Sequence, residues 1–181
     1  MTTIYEIDPA HSNLQFSVRH LMVTNTRGSF RGVTGKVVHD SQNPSASEIH
    51  ATIDASTIHT GDETRDGHLK SADFLDIEKY PTLTFDSTKV EKTGDNEFKV
   101  TGNLTLHGVT KEVVLNVTEV SEEAKDPWGI MRIGASAKGK IKRSDFGLTY
   151  NAALETGGFL IGDEVKLDFE LEFIKTQQAA A

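Results

Sequence analysis

The chain of 181 residues contains no cysteine. That one absence excludes disulfides, thiolate nucleophiles, iron–sulfur clusters and thiolate zinc sites. Basic residues are in deficit, 19 Lys and Arg against 27 Asp and Glu, for a formal charge of −8. Binding to nucleic acid through a general basic surface is therefore disfavoured, as is electrostatic docking to an anionic membrane. No apolar run approaches the ~20 residues of a membrane-spanning helix, so no integral membrane segment is expected. The stretch from Met1 to Asp8 has neither the basic region nor the apolar core of an export signal. As written, the chain is expected in the cytoplasm, or in the periplasm if a leader was removed. Several chemical signatures are also missing. There is no glycine-rich phosphate loop, no HExxH zinc motif and no Gly-x-Ser-x-Gly nucleophile elbow.

What is present is alternation. Hydrophobic residues make up 36% of the chain, enough for the core of one domain spanning residues 1–181. Over most of the chain they recur with period two, the pattern of half-buried strands. Leu14, Phe16 and Val18 form one such face, Ile49, Ala51 and Ile53 a second, and Leu83 with Phe85 a third. Phe98, Val100, Gly102, Leu104 and Leu106 follow, then Val113, Leu115 and Val117. Met131, Ile133, Ala135, Ala137, Gly139 and Ile141 form another, and Val165, Leu167, Phe169, Leu171 and Phe173 the cleanest. The segment Phe30–Asp40 is interrupted by Gly32 and Gly35, which predicts a bulge or sharp bend. The count is eight strands, or nine if Ile4–Ile7 pairs. Thr93-Gly94-Asp95-Asn96, His107-Gly108 and Asp126-Pro127-Trp128-Gly129 read as turns between antiparallel neighbours. One stretch breaks the pattern: residues 62–73 are polar and read as a helix of about three turns, capped by Asp62.

Eight amphipathic antiparallel strands form either a sandwich or a closed barrel. Segments 96–107 and 129–143 are long for strands. A ten-residue strand spans roughly 33 Å, and tilted by about 40° it makes a barrel wall about 25 Å high. An eight-stranded barrel can hold one small ligand. Small residues at Ala135, Ala137 and Gly139 would leave room inside it.

Four blocks then carry a family likeness. The first comprises Asp8-Pro9-Ala10-His11-Ser12, Phe16 to Val23, and Arg27-Gly28-Ser29-Phe30. The second runs from Arg65-Asp66-Gly67-His68-Leu69-Lys70 through Asp76 to Lys79-Tyr80-Pro81. The third is Gly102-Asn103-Leu104-Thr105-Leu106-His107-Gly108-Val109-Thr110-Lys111, and the fourth Ile141-Lys142-Arg143-Ser144-Asp145-Phe146-Gly147. In this order they resemble the YceI-like family, and the likeness runs from about residue 4 to 174. The resemblance implies an all-β fold, an antiparallel eight-stranded lipocalin-like barrel with one short helical segment around 62–73. The Gly-x-Trp opening of true lipocalins is absent, so that likeness is architectural. The resemblance also implies an interior that binds a long polyisoprenoid, a quinone or polyprenyl lipid, and an assembly that is often a homodimer. The expected function is a non-enzymatic carrier or sequestering protein. No cofactor and no metal are expected, with the lipid as ligand.

From the strand faces, the expected lining is Phe16, Val18, Phe85, Phe98, Val100, Leu104, Met131, Ile133, Leu167 and Phe169. Arg65, His68 and Lys70 on the helix read as a head-group rim, or else as helix surface paired with Asp66 or Asp73. Arg143 and Asp145 read as an Arg–carboxylate pair closing one end. The runner-up function is an enzyme acting on an apolar or quinone-like substrate, which requires titratable groups converging inside. His20 and His39 are the first residues to inspect for that role. A third reading is an interaction protein with a filled interior. His11, His68 and His107 match no metal spacing, and Ser12, His11 and Asp8 make a hydrolytic triad only on paper.

Overall fold

In a computed structural model, residues 2–178 are described. The strands are β1 (Thr2–Ile7), β2 (Asn13–His20), β3 (Thr24–Phe30), β4 (Val33–Asp40), β5 (Glu48–Asp54), β6 (Thr82–Gly94), β7 (Glu97–Leu106), β8 (Val109–Thr118), β9 (Ala124–Lys125), β10 (Met131–Lys142) and β11 (Ile161–Gln178). One helix, α1 (Glu63–Lys70), lies between β5 and β6. Among the described residues, no helix is long and apolar enough to cross a membrane.

Eight strands close an antiparallel ring in the order β1, β4, β5, β6, β7, β8, β10, β11 and back to β1. Strand β11 is the seam. One edge pairs with β10 from Glu164 to Ile174. The other edge pairs with β2 over Ile161–Glu170 and with β1 over Phe173–Gln178. Thus β1 and β2 follow one another along a single edge, separated by a 3-10 turn at Pro9–His11. Strands β3 and β4 repeat the arrangement opposite them. The barrel therefore has eight walls, two of them bent.

The bend between β3 and β4 falls at Arg31-Gly32, inside the segment expected to bulge. The Gly32 amide donates to Thr57 Oγ1 at 3.0 Å, and its carbonyl accepts from the Asp54 amide at 2.8 Å. Those bonds replace the ladder there. Ile4–Ile7 does pair, with both β4 and β11. Strand β6 runs further than its alternation shows, because the register shifts between Ser87 and Lys89. A bulge inverts parity, so Leu83 and Phe85 share the inner face with Val90. The helix is shorter than expected. Asp62 Oδ1 caps it, accepting from the Arg65 amide at 2.9 Å, but Ser71 ends it after eight residues. The His107-Gly108 turn has φ of 54° and 70°, the doubly left-handed geometry that suits a two-residue hairpin.

The inner faces of β5 to β8 pack on the turn at Arg143–Phe146, with Phe146 1% exposed and Val100 2%. Gly102 lets a ring lie flat on this wall. A Cβ there would stand 2.4 Å from Phe85 Cζ. Gly102→Ala should therefore destabilise the protein by about 1–3 kcal/mol in urea titration, as the ring is forced off the wall. Gly67→Ala is the contrast. Nothing lies within 4 Å of its Cβ position in α1, and it should gain about 0.5–1 kcal/mol from helix propensity.

Candidate functional site

The ring encloses a cavity of about 760 Å³. This falls within the range of about 300–1,000 Å³ typical of small-molecule sites. Successive rungs of paired strands supply its walls. Across β10 and β11 these are Ile133 with Phe173, Ala135 with Leu171, and Ala137 with Phe169. Across β2 and β11 they are Phe16 with Leu167 and Val18 with Val165. Opposite them, Phe98 pairs with Val117 and Val100 with Leu115. The interior is hollow because small side chains at Ala135 and Ala137 face large ones. Gly139 does not contribute space. A Cβ there would meet Val114 O at 2.8 Å and Leu115 Cδ2 at 2.9 Å.

Nine of the ten residues expected to line a cavity do so: Phe16, Val18, Phe85, Phe98, Val100, Leu104, Ile133, Leu167 and Phe169. Met131 does not. It shares parity with Ile133, but it is the first residue of β10 and pairs with Lys125 of β9, past the last lining rung. Arg65 and His68 reach the cavity and Lys70 does not. Successive helical residues turn by about 100°, so Arg65, His68 and Leu69 share a face from which Lys70 is turned away. Strand parity already marks Leu14, Leu115 and Val117 as further lining. Tyr150 and Leu160 come from the long connection before β11, where no periodicity flags them.

The two ends of the cavity differ. At one end Arg19, His20, Arg65, His68, Arg143 and Tyr150 border it. The His68 ring stands edge-on to Tyr150 at 4.9 Å and to Phe74 at 5.0 Å, and His68 Nε2 meets Asp73 Oδ2 at 2.8 Å. Beside this end the tip of the β2–β3 hairpin exposes Met22 (56%) and Val23 (69%), next to Phe159 (58%). At the opposite end are His39, Ser47, Asn96, Ser121 and Glu123. Tyr5 donates its hydroxyl to Glu123, and burial together with that carboxylate pushes the phenol up. Burial pushes the His39 imidazole down. His20 and His39 sit at these opposite ends, so they do not form an acid–base pair.

Arg143 corrects the expectation of a pair with Asp145. It is 6% exposed, and its guanidinium is held by carbonyls. Nε donates to Gly162 O at 2.8 Å, Nη1 to Leu148 O at 2.7 Å and Tyr150 O at 2.9 Å, and Nη2 to Ile161 O at 3.3 Å. The physical reason is topological: the loop from Ser144 to Leu160 folds its backbone over Arg143 and brings acceptors that Asp145 cannot displace.

The paper triad lies outside the barrel. His11 Nδ1 meets Asp8 Oδ2 at 2.9 Å, but Ser12 Oγ is engaged with the backbone of Glu172, accepting from its amide at 3.0 Å. Asp8, His11 and Glu172 offer three metal-type ligand atoms within 4.8 Å of one another. A cation already stands there. Arg132 Nη1 lies 2.6 Å from both Asp8 Oδ2 and Glu172 Oε1, while its Nε lies 2.8 Å from Asp126 Oδ2. Hydrogen bonds from His11 and Arg132 hold the Asp8 carboxyl down at about 2. His107 is elsewhere again, its Nδ1 3.1 Å from Phe146 O and its ring against Tyr80.

A family model described as YceI-like domain matches residues 5–173. The chain belongs to the YceI-like family. This YceI-like chain is 43% identical over 147 residues to the protein YceI of Salmonella newport, covering 80% of this chain and 76% of that one. Among solved structures it is similar to BcnA of Burkholderia cenocepacia, with TM-score 0.79 and 26% identity over 92% of this chain and 98% of that one. It also shares its fold with a polyisoprenoid binding domain from Saccharophagus degradans, with TM-score 0.67 and 22% identity over 95% of this chain and 98% of that one. The YceI-like barrel thus encloses a mainly apolar cavity.

Proposed function

We propose that this YceI-like protein binds a long polyisoprenoid, a polyprenyl or quinone lipid, inside the barrel and carries or sequesters it. The observation that carries this reading is the hollow of about 760 Å³, whose walls between its two polar ends are mainly apolar strand faces. The polyisoprenoid binding domain of the same fold supports it. Each buried CH₂ contributes about 0.8 kcal/mol, so a tail of several isoprene units can bind tightly without hydrogen bonds, even after the loss of association entropy and tail ordering. Arg65 and His68 stand where a head group would meet the rim. The exposed Met22, Val23 and Phe159 lie beside that rim, where an entering apolar tail would meet them.

The test is organic extraction of the purified protein followed by mass spectrometry, then uptake of added geranylgeraniol. A prenyl lipid recovered at one per chain, or stoichiometric uptake, is the expected result. A clean extract together with no uptake overturns the reading.

A further inference from the structure

We propose that the β2–β3 hairpin docks this protein on an anionic phospholipid bilayer. Leu21, Met22 and Val23 at its tip enter the boundary between head groups and acyl chains, and Arg19 and Arg27 meet the head groups. This surface lies outside the barrel, and its role stands whatever fills the cavity.

The tip carries residues that its backbone disfavours. The Val23 amide donates to His20 O at 3.0 Å, closing a turn whose central residues, Leu21 and Met22, have φ of 53° and 60°. Left-handed backbone at both central positions suits Asn-Gly or Asp-Gly, and a larger side chain there costs free energy. The fold returns little of that cost, because Leu21 is 43% exposed, Met22 56% and Val23 69%. The Leu21 amide donates to Leu160 O at 2.9 Å, so the tip is fixed to the loop that carries Phe159. Among the described residues, Leu21, Met22, Val23, Tyr150 and Phe159 make up most of the exposed large hydrophobic side chains. All five gather at one end of the barrel. An apolar cluster left in water marks a contact with a protein or a membrane.

Charge selects the membrane. The chain as a whole is acidic, yet residues 9–39 contain Arg19, Arg27, Arg31 and Lys36 and no Asp or Glu. All four cations are exposed, and among the described residues none pairs with a carboxylate. Arg19 stands opposite Asn25, and Arg27 opposite Ser17. Side chains two residues apart on paired strands share a face, so both arginines lie on one side of the hairpin, just behind the tip. The acids nearby are on other segments. Asp62 caps α1, Asp66 is held by Thr60, and Glu63 and Glu155 are exposed. An apolar point backed by unpaired guanidinium groups matches the layering of an anionic bilayer, where phosphates lie outside the acyl chains. The tip protrudes, and a fluid layer can close around it.

The experiment is co-sedimentation of the full chain with vesicles of phosphatidylcholine alone and of equimolar phosphatidylcholine and phosphatidylglycerol, at two ionic strengths. Binding to the mixed vesicles should be about tenfold tighter at low salt, from two arginines near an anionic surface. That preference should shrink at high salt. Arg19→Gln with Arg27→Gln should remove the preference and leave binding to phosphatidylcholine in place. Leu21→Asn with Met22→Gly separates docking from folding. It should raise the urea midpoint, because the new pair suits the turn, and weaken vesicle binding by about tenfold or more. Orientation is read from fluorescence. Trp128, the single tryptophan, sits at the opposite end of the barrel and is 82% exposed. Its emission should not shift on vesicle binding, whereas Val23→Trp in a Trp128→Phe chain should shift to the blue. Wild type that binds neither vesicle, equal binding by wild type and the Leu21–Met22 variant, or a blue shift of Trp128 overturns the proposal. So does a fall in the native mass of that variant by light scattering, which would make the tip an interface between copies of this chain.

Discussion

Ala137→Phe should abolish ligand uptake and leave the protein folded. Ala137 is 2% exposed, in the middle of β10, flanked by Val117 and Phe169, and it borders the cavity. In a filled core a ring inserted there would overpack its neighbours at about 1–3 kcal/mol. In a hollow the ring enters empty space, and the transfer of its own apolar surface offsets the loss of contacts. The urea midpoint should therefore stay close to wild type while geranylgeraniol uptake falls by about tenfold or more. Ala55→Phe is the matched contrast. Ala55 is 1% exposed and belongs to the packed cluster, so the same change should destabilise the fold by about 1–3 kcal/mol or more. A large drop in stability for Ala137→Phe with uptake intact would show that the ligand lies elsewhere.

Arg132→Gln should give the largest loss of stability among changes at the polar outer surface. One guanidinium holds Asp8, Asp126 and Glu172 together, and through them it ties the turn after β1, the loop before β10 and strand β11. Removing it leaves three carboxylates facing one another, with His11 and the Ala10 amide left on Asp8. Breaking a partly buried ion network by deleting one partner is costly because the remaining charges stay where they are. The pH dependence gives a second readout. Asp8 is held at about 2, against an ordinary 3.8. A depressed carboxylate contributes stability that is fully present above its unfolded pKa and fades as the pH falls through the folded value. The melting temperature of the wild type should thus decline steeply between pH 4 and pH 2. The gap between wild type and Arg132→Gln should be widest at pH 7 and narrow as acid neutralises the crowded carboxylates. A gap of constant size across that range would mean that Arg132 acts through packing alone.

The strand pattern was legible because a two-residue period survives wherever one face is apolar and the other wet. Val165 to Phe173 shows it without a break, and those residues line the cavity in the order they were read. Legibility failed where backbone geometry interrupted the period. The bulge between Ser87 and Lys89 hid the second half of β6, and β3, with Thr26 and Gly28 on its inner face, has almost no apolar signal. Met131 shows the limit of parity: it tells which face a residue takes, not whether the cavity reaches that far. Lys70 shows the same for a helix, where two steps of about 100° reverse the direction of a side chain. The polar ends were the least legible. Arg143 sits in a recognisable block, but its partners are carbonyls, which no side-chain pattern in the sequence announces. The YceI-like resemblance reached the fold that periodicity alone left open.

The seam has a consequence for folding. Strand β11 begins at Ile161, and it alone joins β10 to both β1 and β2. The pairs that finish the ring connect residues as distant as Thr3 and Gln178. Contacts of such long sequence separation form late, after a large entropy of loop closure. Until β11 docks, the other strands form an open sheet with its apolar concave side bare. Ring closure thus waits on β11, and once it has docked the interior is reached only through the two ends of the barrel.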